Sequence, residues 1–449
     1  MERILAQPES HAFVSARDAE GRAARPADAI WPRDCERASA PKLSIEIVHG
    51  EPPRRFDADW LDLLPRADAP NVFMQPRVLR AAASIRRLVT LLAWEQHAHG
   101  RRLAGYWGFS IGRPHLSVLP ITVLCGPATD HAYLSAPVID RDRLDVTLHA
   151  MLDAVAVTPN LPNVVALESM SGSGATYEAL IRVLKERDSG FCHLDGKNRP
   201  LFMPGGDGAN YLEKALSSSS RKKLRQHRRR LAEKGRLETT VARAPADVCR
   251  AFEDFLTLEA KGWKGRRCTA MACCPDDAVF ARNLVAALAQ SGDACVYALE
   301  LDGRPVGMQV VLRAGFAAFT WKTAYDETLG DFSPGMLLFE DYTKAFLTDS
   351  SVAFADSCAH DDTGYMAAWT GRKLIIDLWL DARCGASGTF AAVARLQKAY
   401  LPLRETAKQA YRGSPASQAL VRVAAAARQV LKRGEKKPAP AANHLVRAF

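Results

Sequence analysis

Two stretches of the chain, Leu88–Ile111 and Ala294–Thr323, are written in the same way: strand-length apolar runs broken by turns that contain glycine. In the second stretch Asp302-Gly303 separates Ala294–Leu301 from Val306–Arg313, and two such residues between apolar runs are a strong hairpin signal. Ala314-Gly315 turns the chain again into Phe316–Thr323. In the first stretch His99-Gly100-Arg101 joins Leu88–Gln96 to Leu103–Ile111, and His115–Val123 continues the meander. A bare antiparallel meander exposes one apolar face, so helices must cover it.

The flanking sequence supplies those helices in the same order twice. Phe56–Leu64 precedes the first meander. Asp247–Glu259, with Val248, Phe252, Phe255 and Leu256 on one stripe, precedes the second. Asp276–Gln290 adds a second helix there, with Phe280, Leu284 and Leu288 inward. After the meanders, Arg143–Val157 leads to the strand Asn163–Leu167, and Pro334–Leu347 leads to the strand Val352–Asp356. Lys42–Val48 and Leu374–Leu380 read as further strands and Thr176–Arg187 as a further helix. The reading is an α/β protein with an internal duplication: a leader over 1–40 without ordered structure, a first domain over 41–205, a linking segment over 206–236, a second domain over 237–400 and a basic tail over 401–449 with a helix at Val423–Lys432.

Charge narrows the function classes. The formal net charge is +10, but Arg221–Arg236 holds nine Lys or Arg against Glu233, and Leu401–Phe449 holds ten against two Glu. The rest of the chain is net negative. A DNA-binding surface spreads its cations over a folded face, so no DNA partner is expected. Tyr211–Gly235 reads as a helix capped by Ser217, docked by Leu212, Leu216, Leu224 and Leu231, with a very basic outer face. That face is compatible with plain solvation, with an anionic ligand, with tRNA or with peripheral contact to an anionic membrane surface. Ten cysteines without a CxxC pair, no secretory h-region and no apolar run of membrane-spanning length give the expectation of a cytoplasmic protein with no metal site.

The stretch Trp321–Leu338, WKTAYDETLGDFSPGMLL, places Ser333-Pro334-Gly335 at a helix start after a strand. Helix N-termini offer unpaired N–H groups and a positive dipole end to a phosphate; an ordinary Pro-started helix has the same spelling. Tyr325 and Lys322 flank the end of the strand. Glu259, beside Trp263 and Lys264 at a helix end, is either a general base or a solvated carboxylate.

Five segments together resemble the acetyltransferase domain of the FemAB-like and CelD-like proteins of the GNAT superfamily: the basic SSSSRKKLRQHRRRLAEKG helix, EAKGWKGR (Glu259–Arg266), LELDGRPVGMQVVL, AYDETLGDFSPGMLLFED and ADSCAHDDTGYMAAWTGRK. They run from Tyr211 to about Leu380, and the first half resembles the degenerate copy of a tandem GNAT arrangement. The resemblance implies tandem GNAT-like (acyl-CoA N-acyltransferase) domains, with mixed central sheets flanked by helices. It implies an acetyl-CoA or other acyl-CoA co-substrate. The pantetheine arm would lie along Gln309, Val310 and Val311 or along the neighbouring strand with Thr320 and Lys322, and the pyrophosphate on the amides of Ser333, Pro334, Gly335 and Met336. The loop departs from the usual R/Q-x-x-G-x-G/A pattern, reading GDFSPGM. FemAB relatives use aminoacyl-tRNA in a similar fold, so the donor has two candidates. Asp356 and His360 would face the site with Glu259 and Tyr325 as catalytic candidates, and Trp263, Lys264, Trp369 and Arg372 would shape the acceptor side. The CelD link implies a saccharide or other small-molecule acceptor. A non-catalytic scaffold in polysaccharide assembly is the reading from another class.

Overall fold

The computed structural model describes residues 43–98, 100–114, 117, 120–204, 211–385, 387–412 and 444–446. The leader, His99, part of His115–Val123 and the Val423–Lys432 helix lie outside them. The first half contains β1 (Leu43–His49), α1 (Phe56–Leu63), α2 (Pro76–Ala83), β2 (Leu88–His97), β3 (Gly100–Gly112), β4 (Val123–Gly126), β5 (Val138–Ile139), α3 (Leu144–Val157), β6 (Val164–Ser171), α4 (Ala175–Glu186) and β7 (Phe191–Phe202). A link of α5 (Tyr211–Ala215) and α6 (Ser218–Ala232) follows. The second half contains β8 (Leu237–Ala242), α7 (Pro245–Lys261), α8 (Trp263–Arg266), α9 (Pro275–Ala289), β9 (Ala294–Leu301), β10 (Arg304–Ala314), β11 (Ala317–Tyr325), α10 (Pro334–Thr348), β12 (Phe354–Asp356), β13 (Gly371–Asp381), α11 (Gly388–Arg412) and β14 (His444–Val446).

The two halves do not keep separate sheets. All strands join one sheet, in the order β14-β1-β2-β3-β4-β6-β13-β7-β12-β11-β10-β9-β8, with β5 on β3. β13, from late in the chain, lies between β6 and β7 of the first half and is antiparallel to both. Its run Leu374–Leu380 is apolar almost throughout, which suits a strand covered on both faces; Ile375, Leu378, Trp379 and Leu380 are all buried. Among the described pairings, only β4 with β6 and β11 with β12 are parallel, one at the equivalent place in each half.

Helices α7 and α9 cover one face of β9–β11 through Val248, Phe252, Phe255, Leu284 and Leu288. Helix α10 covers the other through Leu337, Phe339, Tyr342 and Phe346. The link breaks between α5 and α6. Ser217 Oγ accepts the Ser220 N–H at 3.1 Å, satisfying an orphan donor at the start of α6. Leu224, His227 and Leu231 form its buried seam, while Arg228 reaches Asp341 at 2.6 Å and Glu340 at 3.2 Å on α10. No helix among the described residues is long and apolar enough to cross a membrane.

The β9–β10 turn is the one the sequence announces. Asp302 and Gly303 have φ of 51° and 75°, both left-handed, as a two-residue hairpin loop of the primed type requires. Gly303→Ala is expected to cost about 1 kcal/mol through its Cβ alone, because nothing lies within 4 Å of that position. Urea unfolding measures it, and an unchanged midpoint would refute the strain argument.

Candidate active site

β11 pairs with β12 only from Ala317 to Phe319, opposite Phe354 to Asp356, yet it continues to Tyr325 along β10. Beyond Phe319 the two parallel strands part, and Thr320–Tyr325 keep no ladder partner on that side among the described residues. Thr320 Oγ1 spans the fork by donating to Asp356 O at 3.3 Å. The chain then turns through a 3-10 segment at Glu327–Phe332 into α10. Gly335 comes back beside the end of β11: a Cβ there would stand 3.4 Å from the Tyr325 ring. A fork in the sheet with a helix start at its open end is the frame of the site.

A bulge shapes the fork. The β10–β11 register slips between Val310 and Val311, leaving Trp321 as the extra residue. A bulge turns two consecutive side chains the same way. Here Trp321 Nε1 donates to His131 O at 2.6 Å and Lys322 Nζ lies 3.3 Å from His131 Nδ1. Gln309 Nε2 repairs the ladder by donating to Val310 O and Lys322 O, both at 2.9 Å.

Several expected site residues take other places. Gln309, Val310 and Val311 are buried on β10, which is paired on both sides by β9 and β11; they back the site and offer no free edge to a pantetheine arm. Glu259 is not a solvated helix end. It is 4% exposed, with Oε1 taken by Lys264 Nζ at 2.8 Å and Oε2 by the Met271 N–H at 2.9 Å. With both oxygens occupied it holds Lys264, whose ammonium also donates to Thr323 O at 3.2 Å on the fork. Trp369 is core, fully buried, with Nε1 on Thr343 Oγ1 at 3.0 Å. Arg372 spends its donors on Asp362 and on the carbonyls of Ala367, Trp369 and Gly371, clamping a loop. Trp263 is exposed, with Arg267 5.3 Å over its ring.

At the helix start Ser333 is left-handed, with φ 52° and no side-chain cap bond. Its N–H donates to Gly330 O, and the Met336 and Leu337 N–H groups donate to Ser333 O. Pro334 has no N–H. The four-residue amide cradle thus narrows to Gly335, the first-turn N–H without a backbone acceptor among the described residues. Nearby, Arg230 and Lys234 of the basic link each stand 5.4 Å over the Phe332 ring, bringing cations to the same loop.

On the other side of the fork, Asp356 and His360, both expected from the sequence, gather with Arg199, Lys373, Tyr133 and Tyr365, which it did not single out. Asp356 is wholly buried between Arg199 of β7 at 2.6 Å and Lys373 of β13 at 3.0 Å, and its Oδ1 takes the Cys358 N–H. Burial opposes its charge, but these two cations outweigh it and hold the carboxyl down at about 2. It is ionised and fully engaged, which suits a counter-ion rather than a base. Tyr133 links the neighbours: its carbonyl takes Arg199 Nη1 at 2.8 Å, its hydroxyl takes Lys322 Nζ at 2.5 Å, and its ring lies 5.7 Å from that of His360. Burial, with Lys197 and Lys322 close by, pushes the His360 imidazole below its ordinary value, so it is neutral at neutral pH and able to take a proton. Tyr365, on the 3-10 turn Tyr365–Ala368, donates to Thr323 Oγ1 at 3.3 Å. Burial raises its phenol, keeping the proton available to a leaving group. Tyr325, the phenol expected from sequence, is its neighbour across Gly335.

Residues 218–356 match the acetyltransferase (GNAT) domain family, a segment that runs from the start of α6 to the end of β12 and so contains the fork. No curated protein matches the sequence. Among solved structures, FemX aligns over 72% of this chain and 95% of its own at 12% identity and a TM-score of 0.50. The C-terminal domain of a protein named as a lysylphosphatidylglycerol synthetase from Agrobacterium fabrum covers 77% and 96% at 12% identity with TM-score 0.46. A tandem GNAT protein from the clavulanic acid biosynthesis pathway covers 76% and 99% at 14% identity with TM-score 0.40. Identities this low speak to fold alone. Residues 218–356 are thus similar to the acetyltransferase (GNAT) domain family, and the chain shares the fold of FemX.

Proposed function

We propose that the protein transfers an acyl group, acetyl in the simplest case, from acyl-CoA to an amine or hydroxyl of a small-molecule or saccharide acceptor. The observation that carries this is the fork between β11 and β12. Its free edge, Thr320–Tyr325, gives an extended pantetheine arm backbone groups to pair with. Its open end meets the start of α10, where the Gly335 N–H and the helix dipole suit a pyrophosphate. Arg230 and Lys234 add cationic charge beside that loop. In this reading His360 takes the proton of the attacking group. Tyr365, or Tyr325 beside it, returns one to the departing thiolate.

Calorimetric titration with acetyl-CoA and desulfo-CoA tests the donor, with Ser333→Asp as the informative variant. Aspartate accepts the left-handed backbone that Ser333 has. A carboxylate at the head of α10 also stabilises the helix dipole. The variant should therefore melt no lower than wild type while binding desulfo-CoA about tenfold more weakly through repulsion of the pyrophosphate. Equal binding by both proteins would place the phosphates elsewhere. An aminoacyl-tRNA donor is the second reading, supported by the basic outer face of α6 against the same loop. It requires protection of Arg221–Arg230 by charged tRNA and no response to CoA. Peripheral contact of that face with an anionic membrane surface would appear instead as salt-sensitive binding to anionic vesicles.

A further inference from the structure

We infer that the cationic cluster around Lys322 binds an oxyanion, phosphate or carboxylate, carried by the acyl acceptor, so that the acceptor is an anionic molecule. The word acceptor rests on the acyltransferase reading; the oxyanion site does not.

Among the described residues the polar contacts of Lys322 Nζ are both with neutral groups, Tyr133 Oη at 2.5 Å and His131 Nδ1 at 3.3 Å. His131 is neutral because burial lowers its pKa, and its Nε2 lies 3.5 Å from Asp277. No carboxylate pairs with Lys322 among the described residues. Next to it, Arg199 and Lys373 share the single carboxylate of Asp356, leaving that triad with one surplus positive charge. Arg199 Nε has no acceptor among the described residues although Arg199 is only 2% exposed. Lys197 stands close enough to depress His360. Asp377 stands against Lys197, Asp361 takes the Thr363 N–H and hydroxyl, and Asp277 lies beyond His131, so none of them pairs with Lys322. Arg199, Lys322 and Lys373, from β7, β11 and β13, thus meet the one buried carboxylate of Asp356.

Burial of surplus charge is unfavourable unless a counter-charge arrives. Burial already lowers the pKa of Lys373, as expected for an ammonium short of anions. The cluster is also reachable, because Tyr133, Lys197, Lys322 and Lys373 keep partial exposure and His360 is exposed. It is not the place for the donor's phosphates. α10 belongs to the core of Leu337, Phe339 and Tyr342, whereas Tyr133 packs with Phe73, and His131 stacks on Phe280, in the core on the other face of the sheet. The bulge at Trp321 is what turns Lys322 to that side. An anion held there would sit beside His360, leaving the nucleophilic group of the same molecule to reach the fork.

The test is calorimetric titration of the full chain with inorganic phosphate and, separately, acetate, each with saturating desulfo-CoA present. Saturable binding of either anion that weakens about tenfold or more in Lys322→Gln supports the site, and the anion bound more tightly identifies the acceptor's group. Lys322→Arg keeps the charge and should stay within about threefold of wild type, which separates loss of the cation from loss of the fold. Binding unchanged in Lys322→Gln overturns the inference, as does absence of saturation with both anions. Anion binding abolished by desulfo-CoA also overturns it, since the anion then occupies the donor's place. A wild-type protein that ignores CoA but binds phosphate through Lys322 would sink the acyl-CoA donor and leave the oxyanion site intact.

Discussion

Asp356→Ala is expected to destabilise the protein by about 3–5 kcal/mol, the range for removing one member of a buried ion pair. Arg199 is 2% exposed and Asp356 fully buried, so deletion of the carboxylate strands a guanidinium that water cannot reach. Lys373 suffers less, since its side chain keeps 16% of its exposure. The Cys358 N–H loses its acceptor as well. Because Arg199 lies on β7 and Lys373 on β13, the same carboxylate fastens strands that are 157 and 17 residues away in sequence. Arg199→Met in the Asp356→Ala background should recover part of the loss, because the stranded cation is then gone. Chemical unfolding of the two single variants and the double variant measures the coupling, and strict additivity would rule the interaction out. The pH dependence has a definite sign. The folded carboxyl is held at about 2, below its unfolded value of 3.8. Its contribution is therefore complete above about pH 4 and is lost as the pH falls through 2. The wild type should lose stability in that window more steeply than Asp356→Ala.

What the sequence made legible is what local chemistry dictates. The hairpin at Asp302-Gly303 needs two left-handed residues, and the letters say so. Pro334 marks the first turn of α10 because only there is its missing N–H harmless. The amphipathic stripes of α7 and α9 identify their buried faces. The rest depended on partners far along the chain. β7 contains Asp195-Gly196-Lys197-Asn198-Arg199-Pro200, which reads as a turn, and it becomes a strand because β13 and β12 pair with it. Nothing local tells Leu374–Leu380 to cross into the first half. Arg199 and Lys373 are therefore invisible as a pair in the sequence, and Asp356 reads there as a catalytic candidate without its two counter-ions. Glu259 is hard to read for a related reason: Lys264 lies at i+5 from it, a spacing that does not meet on an α-helix, and the two join only because the chain breaks at Gly262 between α7 and α8. The fork itself is not legible in either strand, since neither says where its partner stops.

His360→Gln is expected to lower kcat/KM by about 10²–10⁴, the usual share of a general base, with desulfo-CoA binding within about twofold of wild type. Glutamine keeps polarity and approximate size but cannot accept the proton. Release of free thiol from acetyl-CoA, with water or an added acceptor, reads the rate. The pH profile carries the sharper demand. Burial, Lys197, Lys322 and Arg199 all lower the imidazole's pKa, while Asp361 raises it. The base is active when neutral, so wild-type kcat/KM should rise with pH through a midpoint below 6.5 and then level off. Removing a cation must move that midpoint up, and removing the anion must move it down. Lys322→Gln should therefore shift the acid limb towards 6.5, and Asp361→Asn should shift it further below. Opposite displacement by two charges that flank one imidazole is hard to obtain from any other group, and a limb that neither substitution moves would remove His360 from the mechanism. The same electrostatics ties the base to the oxyanion site. An anion on Lys322 and Lys197 offsets the part of the depression of His360 that those two cations cause, so binding of the acceptor raises the imidazole's basicity when its proton has to be taken. In the absence of acceptor the base stays weak, which limits loss of the acyl group to water.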